Sequence, residues 1–366
     1  MSLMKKHGHD VILGVPGNGF LNNAVKNINI NTHKFFLPKI INTRLVIGKI
    51  RFFNIFAAIY NLIILFISSL SLFILIKDER PDIVHSNQIL ISIAAGLACR
   101  IAKVPCIWHI RENPAKHISD VILKTFGLFG YFLANKIIVN SQYTAKIFHN
   151  TLMQRKIIVI PIGIEISKNK NSTEKNIRKN NLSDKIISIF GRLIPMKGHE
   201  VLIESMKILK SKKVNFKLNI YGDYNDLDLY YLSLVSLINR LNLSSKIRFC
   251  GFKSNIQEAM NSSDIIVSSS TEAETFGRTI VEAMLVGKPV IATRVGAHPE
   301  IIEDGVSGFL VQPNDPKDLA KKIEILFNDK NLAYKIGETG KERSEEYFTL
   351  KKYIDRLEVL YQNLSY

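Results

Sequence analysis

The chain has 366 residues, 46% hydrophobic and 22% charged, enough for two ordinary cores and unlike a disordered, collagen-like or mucin-like polypeptide. Its three cysteines (Cys99, Cys106 and Cys250) form no C-x-x-C pair, which argues against a disulfide framework or zinc ribbon and fits a reducing cytoplasm. The net charge of +17 calls for an anionic partner.

That charge is uneven. Met1–Glu165 holds 19 Lys/Arg against 7 Asp/Glu, and the remainder 30 against 25. The basic half also carries most of the long apolar runs, a combination that suits a membrane surface as readily as nucleic acid. The opening Met-Ser-Leu-Met-Lys-Lys-His-Gly-His-Asp has neither the apolar core nor the cleavage site of a secretory signal.

Strands are expected in the first half at Val11–Val15, Phe35–Leu37, Ile83–His85, Cys106–His109, Lys136–Val139 and Ile157–Pro161. Gly17-Asn-Gly19, after the first of these, is a weak G-x-G signal. Phe52–Ile76 is long enough to cross a bilayer. Asn54, Asn61, Ser68, Ser69 and Ser71 interrupt it, and it runs into Lys77-Asp-Glu-Arg-Pro81 and the strand beyond. A helix, a Pro-marked turn and a buried strand make the αβ step of a parallel sheet. A spanning helix would put the two parts of one domain on opposite sides of the bilayer, so a helix packed in the domain or lying on the membrane is expected.

Residues 166–185 are rich in Asn, Lys and Ser and read as a polar linker. Further strands are expected beyond it at Ile186–Phe190, Phe216–Tyr221, Ile247–Gly251, Ile265–Ser268, Pro289–Thr293 and Gly308–Val311. Most are continuous and β-branched, as in strands covered on both faces. The class is α/β, with two Rossmann-like parallel-sheet domains facing a cleft. Domain bounds of 1–165 and 186–345 follow, with a C-terminal helix over 346–366 packing back toward the first domain.

Two stretches could carry chemistry. In Ser268–Glu282, a strand ends, a polar loop holds Glu274, and a helix starts near Thr275–Arg278, carrying Glu282. Such a helix start offers N–H groups and a positive dipole end to phosphate oxygens. The two glutamates alone read better as a solvated acidic loop and a helical side chain. In Ile186–Glu204, Gly191-Arg192 follows a strand and Lys197-Gly198 opens a helix, so both cations can reach one diphosphate. Asp226-Leu-Asp228 spells a D-x-D metal motif, but helix capping explains it more cheaply.

Together FGRLIPMKGHEVLIES, Tyr221-Gly-Asp223, Cys250-Gly-Phe252, ETFGRTIVEAMLVGKPVIAT and GAHPEIIEDGVSGFLV resemble glycosyltransferase family 4. The looser matches Pro81–Asn87, Trp108–Glu112, Ile137–Phe148 and Val159–Glu165 follow in the same order. The resemblance implies a GT-B fold and a retaining, nucleotide-sugar-dependent transferase of hexosyl type. It implies that Arg192 and Lys197 bind the donor diphosphate, Glu274 the donor sugar and Glu282 the ribose. Gly191 would line the donor site, Phe276 and Gly277 would supply N–H groups, and Gly251-Phe252 would lie near the base. His109, expected at a strand end facing the cleft, would sit close to the transferred sugar. Ile162 stands where relatives carry Asn in a P-N-G turn.

The expected partners are a nucleoside-diphosphate sugar, a glycan or lipid-linked acceptor and an anionic membrane surface, with no nucleic acid. No metal or cofactor is expected. The location expected is cytoplasmic, peripheral on the inner face of the membrane. Two rival readings are a GT-B nucleotide-sugar epimerase and, further off, a basic nucleic-acid-binding protein. Relatives begin with a strand, a Gly-rich loop and a helix that this sequence does not contain, so an N-terminally truncated first domain lacking its first strand is expected.

Overall fold

The computed structural model describes residues 2–17, 30–38, 44–47, 50–113, 120–165 and 184–364. The chain folds into two compact units. The first comprises Met1–Asn140, Ala145–Ile160 and Ile354–Tyr366; the second comprises Ser141–Thr144 and Pro161–Tyr353.

In the first unit, β1 (Ile12–Pro16) pairs in parallel with β2 (Asn31–Phe35), and β3 (Arg44–Ile47) forms an antiparallel hairpin with β4 (Ile50–Phe53). A separate parallel sheet runs β5 (Val84–Asn87), β6 (Cys106–Ile110), β7 (Lys136–Val139), β8 (Ile157–Val159) in that order. Among the described residues, β1 and β5 belong to different sheets. β2 lies earlier than the expected Phe35–Leu37. Its residues Asn-Thr-His-Lys are largely exposed, and a strand with little cover lacks the continuous apolar run used to find the others.

The long apolar helix spans Ile55–Glu79. Phe52 and Phe53, expected within it, belong to β4 instead, because Asn54 serves as N-cap and its side chain accepts from the Ala57 N–H at 3.0 Å. The helix also continues through Lys77–Glu79, and Arg80 closes it in the left-handed conformation at φ 46°. Ala57, Ile64, Ser68, Leu72 and Ile76 are buried, Leu72 and Ile76 in the core beneath the sheet. Ile55, Phe56, Leu62, Ile63, Phe66 and Leu70 are exposed on the other side. This is the one helix among the described residues that is long and apolar enough to cross a membrane.

The second unit is one six-stranded parallel sheet, ordered β11 (Ile247–Gly251), β10 (Phe216–Tyr221), β9 (Lys185–Phe190), β12 (Ile265–Ser268), β13 (Val290–Thr293), β14 (Phe309–Val311). The direction of chain progression reverses between the neighbours β9 and β12, and ligands of doubly wound sheets bind outside the carboxyl ends of strands at such a point. One core lies under the helices His199–Ser211 and Pro316–Asn328 and another under Arg278–Leu285.

The unit boundaries differ from 1–165 and 186–345. Ile164 bridges to Thr349, which draws the stretch after Ile160 into the second unit. The helix Lys330–Tyr347 packs its buried Gly337 against the backbone of Gly287, so the second unit runs on to Tyr353. Residues 166–183 of the expected linker lie outside the described residues.

Trp108, the only tryptophan of the chain, is fully buried in β6 and stacks on Phe126 with ring centroids 5.5 Å apart. A Cβ at Gly96 would stand 3.1 Å from its ring, so little space exists for repacking. Trp108→Ala should lower stability by about 3–5 kcal/mol, measured by circular dichroism in urea. Trp108→Phe, which retains an aromatic ring, should cost less.

Candidate active site

The loop after β9 carries Gly191, Arg192 and Lys197, and the loop after β12 carries Ser269–Gly277, both at carboxyl ends of strands. The loops interlock through backbone. Gly198, at φ +67°, lies so close to Ser269 that a Cβ would fall 1.9 Å from its carbonyl oxygen. No side chain fits there. The Ser269 hydroxyl donates to the Gly198 carbonyl at 2.9 Å, and the Thr271 N–H donates to the Met196 carbonyl at 2.9 Å.

This seam sets Lys197 against Glu274. The Lys197 ammonium donates to Glu274 Oε2 at 2.8 Å, with side-chain exposures of only 19% and 15%. The Ser270 hydroxyl donates to Oε1. Burial alone would push the Glu274 carboxyl up. The charges of Lys197 and His298 and the bonds from Lys197 and Ser270 outweigh it, holding the group below its ordinary value. The Glu274 backbone is pinned as well: Gly296, at φ +54°, would place a Cβ 2.2 Å from its carbonyl oxygen, and the Ala297 N–H donates to that oxygen at 2.9 Å.

His298 completes the cluster. It is fully buried, and its Nδ1–H donates to the Thr293 carbonyl at 2.8 Å. Its Nε2 stands 3.7 Å from Glu274 Oε1 and has no hydrogen-bond partner among the described residues. Burial lowers the imidazole's proton affinity despite the attraction of Glu274.

Of the remaining expected residues of the second unit, Gly191 and Gly277 adjoin this cluster. The Arg192 side chain is exposed and makes no ion pair or side-chain hydrogen bond with the described residues. Gly191 lies beside the Lys197 stem, its Cβ position 3.5 Å from Cε. Gly277 is the N-cap of Arg278–Leu285, and a Cβ on it would meet His298 Cδ2 at 3.1 Å. The first N–H groups of that helix have no acceptor within it. Phe276 is buried against Phe348, with ring centroids 5.9 Å apart. Glu282 accepts from Arg278 Nε at 2.8 Å. Gly251 ends β11 at φ +68°, and Phe252 is 74% exposed.

His109 departs from its expected setting. β6 continues to Ile110, and His109 is fully buried in place of facing an opening. Its Nε2 meets Asn140 Oδ1 at 3.1 Å and its Nδ1 meets His85 Nε2 at 3.2 Å. Burial, then the charge of Arg111, lowers His109 to about 3 and His85 to about 4. Asp228 caps Leu229–Arg240 and accepts from the Tyr230 N–H at 2.7 Å, as expected of a cap. Asn18 and Gly19 of the G-x-G signal lie outside the described residues. Among the described residues, no group of three or more His, Cys, Asp or Glu could hold a metal ion.

Residues 2–168 match the model of Glycosyltransferase Family 4, and residues 170–343 match that of Glycosyl transferases group 1. The chain is 30% identical over 296 residues to an uncharacterized glycosyltransferase of Methanocaldococcus jannaschii, covering 80% of this chain and 78% of that one. The chain belongs to glycosyltransferase family 4. Another family relative is a capsular polysaccharide biosynthesis glycosyltransferase of Staphylococcus aureus, 28% identical over 80% of each chain. The fold is that of the GT-B glycosyltransferases. It superposes on the crystal structure of Anabaena HepE in complex with UDP with a TM-score of 0.78, at 22% identity over 95% of this chain and 91% of that one.

In this family 4 glycosyltransferase, sequence reasoning passed over Ser270 and His298, the two side chains that flank Glu274. His298 stood in the quoted Gly-Ala-His-Pro-Glu stretch, and its signal was a histidine opening a helix directly after a strand. His85 and Asn140 were likewise passed over.

His85 and His109 make the first unit acid-sensitive. Their folded-state values lie below the ordinary imidazole value of 6.5, so their contribution is complete above that pH. As pH falls below it the unfolded chain binds protons that the folded chain does not, costing up to about 1.4 kcal/mol per pH unit for each histidine. The urea midpoint read by Trp108 emission should therefore fall between pH 7.5 and 5. An unchanged midpoint would contradict the buried neutral pair.

Proposed function

We propose that this glycosyltransferase moves a hexose, with retention at the anomeric carbon, from a nucleoside diphosphate to a lipid-linked or cell-surface glycan. The observation that carries the reading is the Lys197–Glu274 pair at the carboxyl ends of β9 and β12, with exposed Arg192 on the same loop as the lysine. UDP in the HepE complex and the capsular polysaccharide role of the Staphylococcus relative support the donor and acceptor classes.

In this reading Arg192 and Lys197 meet the diphosphate, and Glu274 accepts from hydroxyls of the donor sugar. Glu282 accepts from the ribose, Gly191 and Gly251-Phe252 border the nucleoside, and the backbone at Phe276-Gly277 faces phosphate oxygens. His109, fully buried and bonded to Asn140, supports the region of the transferred sugar indirectly. The bond from the anomeric carbon to the phosphate oxygen breaks and its electron pair stays with the diphosphate. The acceptor hydroxyl bonds to that carbon on the same face, and its proton passes to the departing phosphate oxygen. Fixed cations and backbone dipoles stabilise the developing charge. These cations supply the positive charge, so turnover is proposed to be independent of divalent metal.

The exposed apolar side of Ile55–Glu79 and the basic balance of residues 1–165 support peripheral attachment to the cytoplasmic face of an anionic membrane. Charging Phe56, Leu62 and Phe66 together should release the protein from anionic vesicles in sedimentation while donor binding persists. Protection of the helix from proteases on both sides of a bilayer would contradict peripheral attachment.

The anomeric configuration of the product, read by NMR with a panel of nucleotide sugars, tests the reaction: an inverted product overturns it. Arg192→Ala or Lys197→Ala should lower kcat by about 10²–10³. Glu282→Gln should weaken donor binding by about tenfold to a hundredfold, measured by calorimetry.

A further inference from the structure

Within the second unit, His298 is buried beside Glu274 with one ring nitrogen unused. Its Nδ1 stands 2.8 Å from the Thr293 carbonyl oxygen, which can only accept, so Nδ1 carries the ring proton. In the neutral ring Nε2 is then a bare lone pair. It is fully buried, 3.7 Å from Glu274 Oε1 and without a hydrogen-bond partner among the described residues. Two atoms that can only accept face each other there, with no hydrogen between them. Cδ2, bonded to Nε2, lies 3.1 Å from the Cβ position of Gly277. That ring edge therefore borders the start of the helix Arg278–Leu285.

The arrangement is balanced while Lys197 holds Glu274. One ammonium faces one carboxylate, and burial, helped by the charge of Lys197, keeps the His298 ring neutral despite the attraction of Glu274. A donor upsets this balance. Its diphosphate carries two negative charges and, in the proposed reaction, meets Arg192 and Lys197. Counted with Glu274, these groups hold one excess negative charge, in a place where an uncompensated charge is costly. Ser270 donates to Glu274 and favours its charged form, whereas Nε2 is empty. The other charged groups around His298 are engaged. Arg278 pairs with Glu282 and Arg294 with Asp304. Arg343 donates to the carbonyls of Glu300 and Ile301, and the Glu300 carboxylate accepts from the N–H groups of Gln142 and Tyr143.

We infer that His298 is a positioning residue that takes up a proton from solvent when the donor binds, replacing Lys197 as the counter-charge of Glu274. The proton goes to Nε2, which donates to Glu274 Oε1 once the two atoms approach by roughly 0.8 Å, to ordinary hydrogen-bond distance. Lys197 keeps its own proton and turns to the diphosphate. The inference rests on the proposed donor, because it is the diphosphate that draws Lys197 away.

The test uses the full chain and the panel of nucleotide sugars, beginning with UDP-glucose, whose diphosphate diester has no group titrating near neutrality. Calorimetry at about pH 7 in buffers of different ionisation heat should show uptake of up to about one proton per donor bound. The donor Kd should rise as pH increases above neutrality, by up to about tenfold per unit, because the complex holds a proton that the free enzyme lacks. In ¹⁵N-histidine-labelled protein, His298, assigned by its loss in His298→Asn, should pass from the Nδ1–H pattern to the doubly protonated one on binding. His298→Asn keeps an N–H for Thr293, and His298→Gln puts a neutral amide beside Glu274. Both should bind donor without proton uptake and with a Kd independent of pH. Donor binding without proton uptake in the wild type overturns the inference by itself, as does uptake that persists in both variants, and either result leaves the donor reading standing. A chain that binds no nucleotide sugar of the panel overturns the donor reading, and this inference falls with it.

Discussion

A lysine and a glutamate held 2.8 Å apart, mostly out of water, set the terms for the second unit. Removing two charges from solvent costs several kcal/mol for each ion, and their attraction offsets this only with good geometry and further hydrogen bonds. Here Ser270 and the pinned backbone of Glu274 supply those conditions. The geometry in turn depends on two close approaches of main chain, at Gly198 beside Ser269 and at Gly296 beside Glu274. A buried pair of this kind is weak evidence for stability. It keeps a charged carboxylate and an ammonium ready in a low-dielectric place, where each interacts strongly with whatever displaces the other.

The parallel sheet of the second unit was legible because its strands are short apolar runs, the inner β12 and β13 buried on both faces. Phe216–Tyr221, Ile247–Gly251 and Ile265–Ser268 match their expected bounds. The first unit was less legible where that condition fails. The polar strand Asn31–Phe35 gives no apolar signal, and the hairpin ending at Phe53 merges in sequence with the helix that follows. Only Asn54, read as an interruption, marks the boundary, and its side chain forms the cap there.

The candidate site divides in the same way. Motif residues near Gly and at strand ends could be named from the sequence, because backbone approach and helix starts leave local signatures. The partners of those residues could not. Ser270 reaches Glu274 through the turn of their own loop and His298 from a separate one, and His85 and Asn140 reach His109 across neighbouring strands. Spacing along the chain carries no record of such meetings. The burial of His109 was equally hidden, since a histidine after tryptophan at a strand end looks the same whether it faces solvent or core.

The return of residues 354–366 to the first unit bears on the order of events during synthesis. Tyr361 and His85 are 276 positions apart, and Glu358 and His7 are 351 apart. Roughly 200 residues separate the last strand of the first unit from Tyr361, an interval of about 10–40 s of synthesis at ~5–20 residues per second. Throughout that interval the row Tyr361, His85, His109, Asn140 lacks its first member. A nascent or C-terminally clipped chain can therefore hold donor-side loops in native form while its histidine row is unfinished. Synthesis of the helix Leu350–Gln362 becomes the last step in assembling that row.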